Sequence, residues 1–254
     1  MGPLTLLVVG LAVLIGISLG LLGGGGSILA VPLLAYVAGL EPQEAIAGSL
    51  FVVAVTSAVS LLSHARRGNV RWRIGALFGG ASMIGAFAGG LIGGRIPGTV
   101  LMIAFAMMMV ATAAAMLRRR RPSSASSIRE ERISHRWWRI LIDGLAVGLI
   151  TGMVGAGGGF LVVPALVLLA GLSMPAAVGT SLMVITMKSA AGLGGYLTTV
   201  ALDWTLILMA TGAAVAGALL GSRFTDRIPE ARLRRAFGVF VLIMGGLVLA
   251  MELI

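Results

Sequence analysis

The chain contains the same unit twice, and this internal duplication limits the folds open to it. Shifting the sequence by 132 residues aligns residues 20–97 with residues 152–229 without a gap, and 27 of the 78 aligned positions are identical. Repeats of this kind in an apolar chain are typical of membrane proteins in which two related halves enclose one central site. The sequence therefore predicts two structural halves with a site between them.

The composition places the chain in a membrane. Hydrophobic residues make up 58% of the sequence and charged residues 11%, and the mean hydropathy is +1.06. A water-soluble fold built from these residues would lack a polar surface. The apolar runs are longer than the alternating strands of a β-barrel, so we expect an all-α integral membrane protein. The sequence has no cysteine, which excludes disulfides, thiol catalysis and cysteine-ligated metals.

Glycine, proline and charged residues divide the chain into ten apolar segments. We predict them at about 4–22, 27–40, 43–63, 71–94, 98–117, 138–155, 159–171, 175–199, 204–224 and 231–253. The two membrane repeats then occupy residues 1–117 and 138–254, and residues 118–137 form a solvated basic linker. Residues 1–22 lack the basic start of a signal peptide and have a counterpart in the second copy, so we treat them as structural.

The second segment of each copy is too short to span a bilayer. Its 13 or 14 residues form roughly 20 Å of helix, whereas the hydrocarbon core is about 30 Å thick. We therefore predict that the first two segments of each copy form a broken, re-entrant hairpin with a Gly-rich tip, followed by three transmembrane helices. Irregular backbone at this depth must be buried in protein or face a water-filled cavity.

An odd number of crossings in each copy predicts that the two copies are inserted in opposite orientations. With the central linker in the cytoplasm, 17 of the 19 basic residues fall on the cytoplasmic side, as the positive-inside rule favours. A parallel repeat would move the five arginines from Arg223 to Arg235 to the outside. We therefore expect inverted-topology repeats, a cytoplasmic linker and two external termini.

Basic and aromatic residues at the predicted membrane surfaces have simple interpretations. The run Arg118–Arg121 is interpreted as an orientation signal that contacts anionic lipid headgroups, and not as a nucleic-acid site. Trp72 and Trp204 fall near opposite interfaces, where indole rings commonly anchor helices. His64, Asp143 and Asp203 fall near predicted helix ends, where we expect solvated interfacial roles.

The two Gly-rich tips are candidate anion-binding sites. Gly23–Ser27 and Gly155–Gly159 each come directly before a short helix, where free N–H groups and the positive end of the helix dipole meet. Consecutive N–H groups of glycines can also form an anion-binding nest. The alternative is that these glycines only allow close helix packing, which is our interpretation of the regularly spaced glycines from Gly75 to Gly93.

Polar residues on the following helices add to the candidate site. Ser49, Thr180 and Ser181 offer hydroxyl donors, or else bond their own helix backbone. Lys188 lies about 13 residues into an apolar helix, where a charge costs several kcal/mol unless it pairs or faces water. Its counterpart in the first copy is Thr56. We interpret Lys188 as an anion contact or a proton-coupling group, against the alternative of a lysine that snorkels or bonds carbonyls.

The predicted site contains no cofactor, no metal and no catalytic group. The candidate substrate-binding residues are Gly23, Gly24, Gly25, Gly26, Ser27, Ser49, Gly155, Gly157, Gly158, Gly159, Thr180, Ser181 and Lys188.

The order of these motifs resembles the TauE/SafE family of bacterial membrane transporters. Each Gly-rich tip is followed by a Val-Pro pair, at Val31-Pro32 and Val163-Pro164, and then by Gly-Ser-Leu or Gly-Thr-Ser-Leu. The resemblance covers nearly the whole chain. It implies a secondary transporter of the cytoplasmic membrane that exports sulfite, organosulfonates or other small sulfur-containing anions. Gly24 and Ser27 stand where the second copy has Ala156 and Gly159, so the two tips need not be equivalent.

Four alternative functions are weighed against this one. An anion channel, or a transporter of another small anionic metabolite, would use the same site. A serine protease built on Ser49 or Ser181 lacks a histidine at membrane depth to activate the hydroxyl, which argues against an enzyme. A non-transporting assembly subunit is the fourth alternative. We expect a small anionic substrate and membrane lipids as partners, no nucleic acid, and a homodimer as an assembly that suits a bundle of this size.

Overall fold

The protein is built from helices throughout the part of the chain that the structure describes. The computed structural model describes residues 3–22, 25–118, 137–155, 171–224 and 230–253, together with Val162, Val163 and Leu166, and contains no strand in these residues. Its helices are α1 (Pro3–Leu22), α2 (Ala30–Pro32), α3 (Pro42–Arg66), α4 (Trp72–Gly93), α5 (Gly98–Arg118), α6 (Trp137–Val154), α7 (Met174–Tyr196), α8 (Trp204–Phe224) and α9 (Glu230–Leu253). The predicted all-α fold is confirmed.

Several helices are long and apolar enough to cross a membrane. By length and composition, four spans of this kind lie within the described residues: Pro42–Arg66, Trp72–Gly93, Pro175–Tyr196 and Trp204–Gly221. Shorter apolar helices accompany them, including Leu7–Gly20 and Ile140–Val154. Large apolar side chains point outward from the bundle, and Leu62, Ile84 and Ile243 are each at least 60% exposed. Such a surface suits lipid and not water, so the protein is an integral membrane protein.

The second segment of the first copy is short and irregular, as predicted. A 3₁₀ turn at Gly25–Leu29, a single α turn at Ala30–Pro32 and a π turn at Leu33–Val37 follow one another. Pro32 has no backbone N–H, which removes a helical hydrogen bond at this point. The re-entrant path of this hairpin stays a prediction. Most of the corresponding segment 159–171 lies outside the described residues, as do residues 119–136 of the predicted linker.

The helices of each copy pack mainly against helices of the other copy. α4 packs on α6 and α7, α1 packs on α8, and α5 packs on α9. α3 lies at the centre, in contact with α7 and α8. Each copy therefore completes the core of the other. The division into two repeats and a linker stays a prediction of the sequence.

The same close contacts occur twice, at positions 132 residues apart. A Cβ atom at Gly85 would collide with the carbonyl oxygen of Leu145, and one at Gly217 would collide with that of Val13. The equivalent pairs Gly89–Leu149 and Gly221–Ile17 repeat this pattern. Added Cβ atoms at the regularly spaced glycines of α4 would all meet atoms of α6 or α7 closer than 3.0 Å. Their predicted role in helix packing is confirmed.

The two equivalent helices α3 and α7 run antiparallel. Leu50 lies against Gly192 near the start of α3, and Asn69, just beyond the end of α3, lies against Gly179. The carboxylate of Glu44 also accepts a hydrogen bond from the backbone N–H of Asp203, with 2.7 Å between the two atoms. Residue numbers therefore rise along one helix as they fall along the other.

Three polar residues that we expected at solvated helix ends have different environments. Asp203 is exposed, and its Oδ1 accepts a hydrogen bond from the backbone N–H of Thr205 at the start of α8. Asp143 is half-buried. The expectation was wrong for His64, which is only 3% exposed. His64 lies on the same face of α3 as Ser57 and Ser60, and that face is packed inside the bundle.

Candidate functional site

The first copy contacts the Gly-rich tip of the second copy through Ser49. The Ser49 hydroxyl lies 2.7 Å from the carbonyl oxygen of Ile46 and 2.9 Å from the carbonyl oxygen of Gly155. Its single proton can be donated to one of these oxygens at a time. Ser49 is completely buried. The start of α3 is therefore joined to the point where α6 ends, so the structure brings two predicted site residues together.

Gly155 occupies a position that requires glycine for two reasons. Its φ is +70°, in the left-handed region that glycine adopts without a steric penalty. A Cβ atom at this position would also collide with the side chain of Ile46. The second tip therefore begins with a tight turn pressed against α3 of the first copy.

Lys188 is buried inside the bundle and bonds a hydroxyl. Its side chain is 1% exposed, and its Nζ donates a hydrogen bond to Oγ1 of Thr151 at 2.8 Å. Thr151 in turn donates to the carbonyl oxygen of Val147 at 2.7 Å. Within the described residues, Lys188 bonds no carboxylate. Its ammonium group has three donors, and this contact uses one of them.

Lys188 and Ser49 converge on the same end of α6. Thr151 lies four residues before Gly155, which corresponds to about 6 Å along a helix. Lys188 contacts α6 at Thr151, and Ser49 contacts it at Gly155. The amino group of Lys188, the hydroxyl group of Ser49 and the start of the second Gly-rich tip therefore lie near one end of α6. This arrangement suits a small anion.

Thr180 and Ser181 are neighbours in the chain but make different kinds of hydrogen bond, a difference that the sequence alone does not reveal. The hydroxyl oxygen of Thr180 accepts a hydrogen bond of 3.0 Å from the backbone N–H of Arg71, which ties α7 to the loop between α3 and α4. Ser181 donates to the carbonyl oxygen of Val178 at 2.7 Å, as Ser49 does to Ile46 at the equivalent position. Both side chains are buried, and their contact with an anion stays a prediction.

Part of the predicted anion site belongs to the described structure and part does not. Gly25 and Gly26 lie in the 3₁₀ turn before α2, and Ser27 is completely buried. Five of the predicted tip residues lie outside the described residues: Gly23, Gly24, Gly157, Gly158 and Gly159. The use of tip N–H groups as anion donors therefore stays a prediction.

The structure adds polar residues that the sequence interpretation missed. Thr151 is the partner of Lys188, and Ser57, Ser60 and Ser189 are buried hydroxyls on α3 and α7. The sequence did offer a signal for two of these residues, because Ser57 and Ser189 are identical residues at equivalent positions of the two copies. Thr151 had no such signal, since its equivalent position holds Leu19.

Comparison with known proteins places the chain in a family. The family model of the sulfite exporter TauE/SafE matches residues 8–248. The chain is a member of the TauE/SafE family. A protein of Xylella fastidiosa (strain 9a5c), named "Probable membrane transporter protein", is 33% identical over 238 residues, which cover 90% of this chain and 88% of that protein. No solved structure matches the chain.

Other relatives carry the same kind of name. The "Probable membrane transporter protein YdhB" of Bacillus subtilis is 29% identical over 93% of this chain and 96% of its own length. The "Probable membrane transporter protein MJ0441" of Methanocaldococcus jannaschii is 28% identical over 76% of this chain and 74% of its own length. This TauE/SafE protein is therefore a multi-pass membrane transporter and not an enzyme.

Proposed function

We propose that this TauE/SafE protein is a secondary transporter that exports small sulfur-containing anions, such as sulfite or an organosulfonate. The substrate binds between the two Gly-rich tips and beside Lys188, and it crosses the cytoplasmic membrane by alternating access. The observation that carries this proposal is the burial of Lys188 against Thr151 at the end of α6.

The environment of Lys188 supports an anionic substrate. A buried ammonium group is costly unless a negative charge or several hydrogen bonds compensate it. In the described residues the lysine has a neutral hydroxyl partner, so a bound anion would supply the missing opposite charge. The family name and the three or four oxygens of sulfur oxyanions make these ions the first substrates to test.

The closed state of the site supports alternating access over an open channel. Ser49, Thr180, Ser181 and Lys188 are each at most 1% exposed. An anion could reach these groups only after a movement that opens the bundle to one side. An anion channel would instead need a continuous wet path. The interlocked packing of the two copies provides two equivalent interfaces at which such a movement can occur.

The repeats and the arginines support a proposed orientation in the membrane. We propose that the copies are inverted relative to each other, and the antiparallel packing of α3 and α7 supports this. Four exposed arginines lie in or directly beside the loop between α3 and α4: Arg66, Arg67, Arg71 and Arg73. We place this loop and the linker 118–137 in the cytoplasm, in contact with anionic lipid headgroups. The termini are then external, and the homodimer stays a prediction.

The membrane potential favours export of an anion. With the cell interior negative, a doubly charged anion that leaves the cell gains roughly 4.6 kcal/mol per 100 mV, at about 2.3 kcal/mol per charge. Uptake against this potential would require a coupled cation. Export is therefore the direction that needs no other energy source.

The proposal is tested by charge movement in proteoliposomes on solid-supported membranes. Purified protein is exposed in turn to sulfite, sulfate, thiosulfate, taurine, sulfoacetate and chloride. We expect saturable currents for one or two sulfur oxyanions and none for chloride. Currents that do not saturate would identify a channel, and the absence of current from folded protein would contradict transport of these anions.

A further inference from the structure

Three buried hydroxyl groups differ from the others in the bundle. Among the described residues, five buried serines and threonines donate to a carbonyl oxygen three or four positions earlier in their own helix, namely Ser49, Thr56, Thr151, Ser181 and Thr211. Within the part of the chain that the structure describes, the hydroxyl oxygens of Ser57, Ser60 and Ser189 have no hydrogen-bond partner. Each is at most 2% exposed. A buried hydroxyl without a partner is unfavourable, so these three groups call for a ligand or water.

Ser57 and Ser189 are equivalent residues of the two copies. They lie 132 positions apart and are identical, whereas the equivalent of Ser60 is Gly192, which has no side chain to donate a hydrogen bond. Two unpartnered hydroxyls at the same place in two copies are therefore not an isolated irregularity of one helix. They form a pair that both copies contribute.

The antiparallel packing of α3 and α7 brings the two hydroxyls to the same depth. Leu50 lies against Gly192, and Asn69 lies against Gly179. Ser57 lies between Leu50 and Asn69 along the chain, so its level on α7 lies between Gly192 and Gly179, at about the level of Lys188 and Ser189. Both hydroxyls therefore lie near the middle of their helices, at about the depth of the buried lysine.

We propose that Ser57 and Ser189 bind the transported oxyanion together with Lys188, each through its hydroxyl proton. This inference rests on the proposed function and extends its site to the crossing of α3 and α7. Two hydroxyl donors and the two remaining donors of the ammonium group match the several oxygens of a sulfite, sulfate or sulfonate group. A metal cation is disfavoured here, because the charge of Lys188 repels it.

The position of the pair also has a mechanical consequence. One hydroxyl belongs to each copy, so the anion stays bonded to both copies when they move relative to each other. Ser60 lies one turn beyond Ser57 on the same face of α3 and continues the polar surface toward the end of the helix that carries His64.

The test replaces each serine by alanine and measures anion currents and thermal stability. Ser57→Ala and Ser189→Ala are compared with the natural chain, with the double variant and with the control Thr211→Val. The control also removes a buried hydroxyl, but one that donates to the carbonyl oxygen of Ile207 in α8. The probes are sulfite, thiosulfate and sulfoacetate in the proteoliposome assay.

We expect each single variant to raise the half-saturating anion concentration about tenfold, as the loss of a hydrogen bond to a charged ligand does. The double variant should raise it about a hundredfold, and Thr211→Val should leave it unchanged. Without anion, the unfolding temperature of the serine variants should stay equal or rise, because alanine leaves no unpaired group buried. Added anion should raise the unfolding temperature of the serine variants less than that of the natural chain, in line with their lower affinity.

Other results would overturn the inference in distinguishable ways. If the half-saturating anion concentration of the double variant equals that of the natural chain, the serines do not bind the anion. The proposed transport would then remain intact. A lower unfolding temperature without anion, with transport lost in proportion to folded protein, would show a structural role. Absence of saturable current and of anion stabilisation in the natural chain would overturn the proposed function and this inference together.

Discussion

Lys188 in the second copy and Thr56 in the first copy occupy equivalent positions but make different contacts. Lys188 reaches across to Thr151 on α6, whereas the hydroxyl of Thr56 donates to the carbonyl oxygen of Val52 in its own helix at 2.6 Å. The position equivalent to Thr151 holds the buried Leu19. The glycine contacts between the copies are nevertheless repeated pair by pair. The two copies thus share their packing but differ in their polar centre, because the lysine is present at this position in the second copy only.

The largest expected effect comes from moving this charge to the other copy. Lys188→Thr should lower anion transport at least about a hundredfold, because a charge-assisted contact to the anion is lost. Adding Leu19→Thr and Thr56→Lys builds the same pair of side chains in the first copy. If the two halves surround one site, this triple variant should recover part of the transport, measured as saturable current in proteoliposomes.

The conservative variant Lys188→Arg serves as the control for the charge experiment. It keeps the charge but changes the shape of the donor, and we expect transport between that of Lys188→Thr and the natural chain. Full transport by folded Lys188→Thr would show that the charge plays no part in the reaction. No recovery by the folded triple variant would show that the two halves are not interchangeable at this point.

A second comparison concerns the two left-handed glycines of the second copy. Gly155 and Gly171 have φ values of +70° and +65°. A Cβ atom at Gly155 would collide with Ile46, whereas one at Gly171 would meet no atom of the described residues within 4 Å. Gly171→Ala should lower the free energy of unfolding by about 1–2 kcal/mol through backbone strain alone. Gly155→Ala should cost about 2–5 kcal/mol, since overpacking adds to the strain.

Thermal unfolding of the purified variants in detergent measures this difference. If Gly155→Ala and Gly171→Ala lower the free energy of unfolding equally, the contact between the second tip and α3 is looser than described. A folded Gly155→Ala protein with reduced anion affinity would instead link this turn directly to binding.

A further comparison, with smaller expected effects than at Gly155, tests whether the packing is equal in the two copies. Gly85→Ala and Gly217→Ala place a methyl group against carbonyl oxygens of the neighbouring helix, and each should lower the free energy of unfolding by about 1–3 kcal/mol. Gly80→Ala is the matched control, because a Cβ there meets nothing within 4 Å. It should be neutral or stabilising by up to about 1 kcal/mol. Clearly unequal losses of unfolding free energy at Gly85 and Gly217 would show that the α4–α6 and α1–α8 interfaces differ in strength.

The helices were predictable because local signals determine them. Apolar runs bounded by proline, glycine and charge gave bounds close to the observed ones, as in α3 and α8. The prediction that the second segment is too short to span the bilayer followed from its length. The internal duplication also indicated that Gly155 and Ser49 lie near one site. These features depend on residues close together in the chain or on the repeat itself.

The polar contacts were less predictable because they depend on how helices cross. Nothing in the sequence distinguishes Ser49, which reaches another helix, from Ser181, whose contact in the described structure lies within its own helix. The pairing of Lys188 with Thr151 follows from the packing of α7 near α6, which no local pattern specifies. His64 was misjudged for a related reason, since closeness to a helix end does not determine which face is buried.

The packing of each copy's helices on helices of the other copy has a consequence for biosynthesis. The first copy leaves the ribosome before the second, yet α1 and α4 find their main partners in α8 and α6. The first copy must therefore remain in the bilayer as incompletely packed helices until the second copy has been inserted. Assembly of this protein is then completed only after translation of the second copy, and a chain that stops after α5 has no finished core.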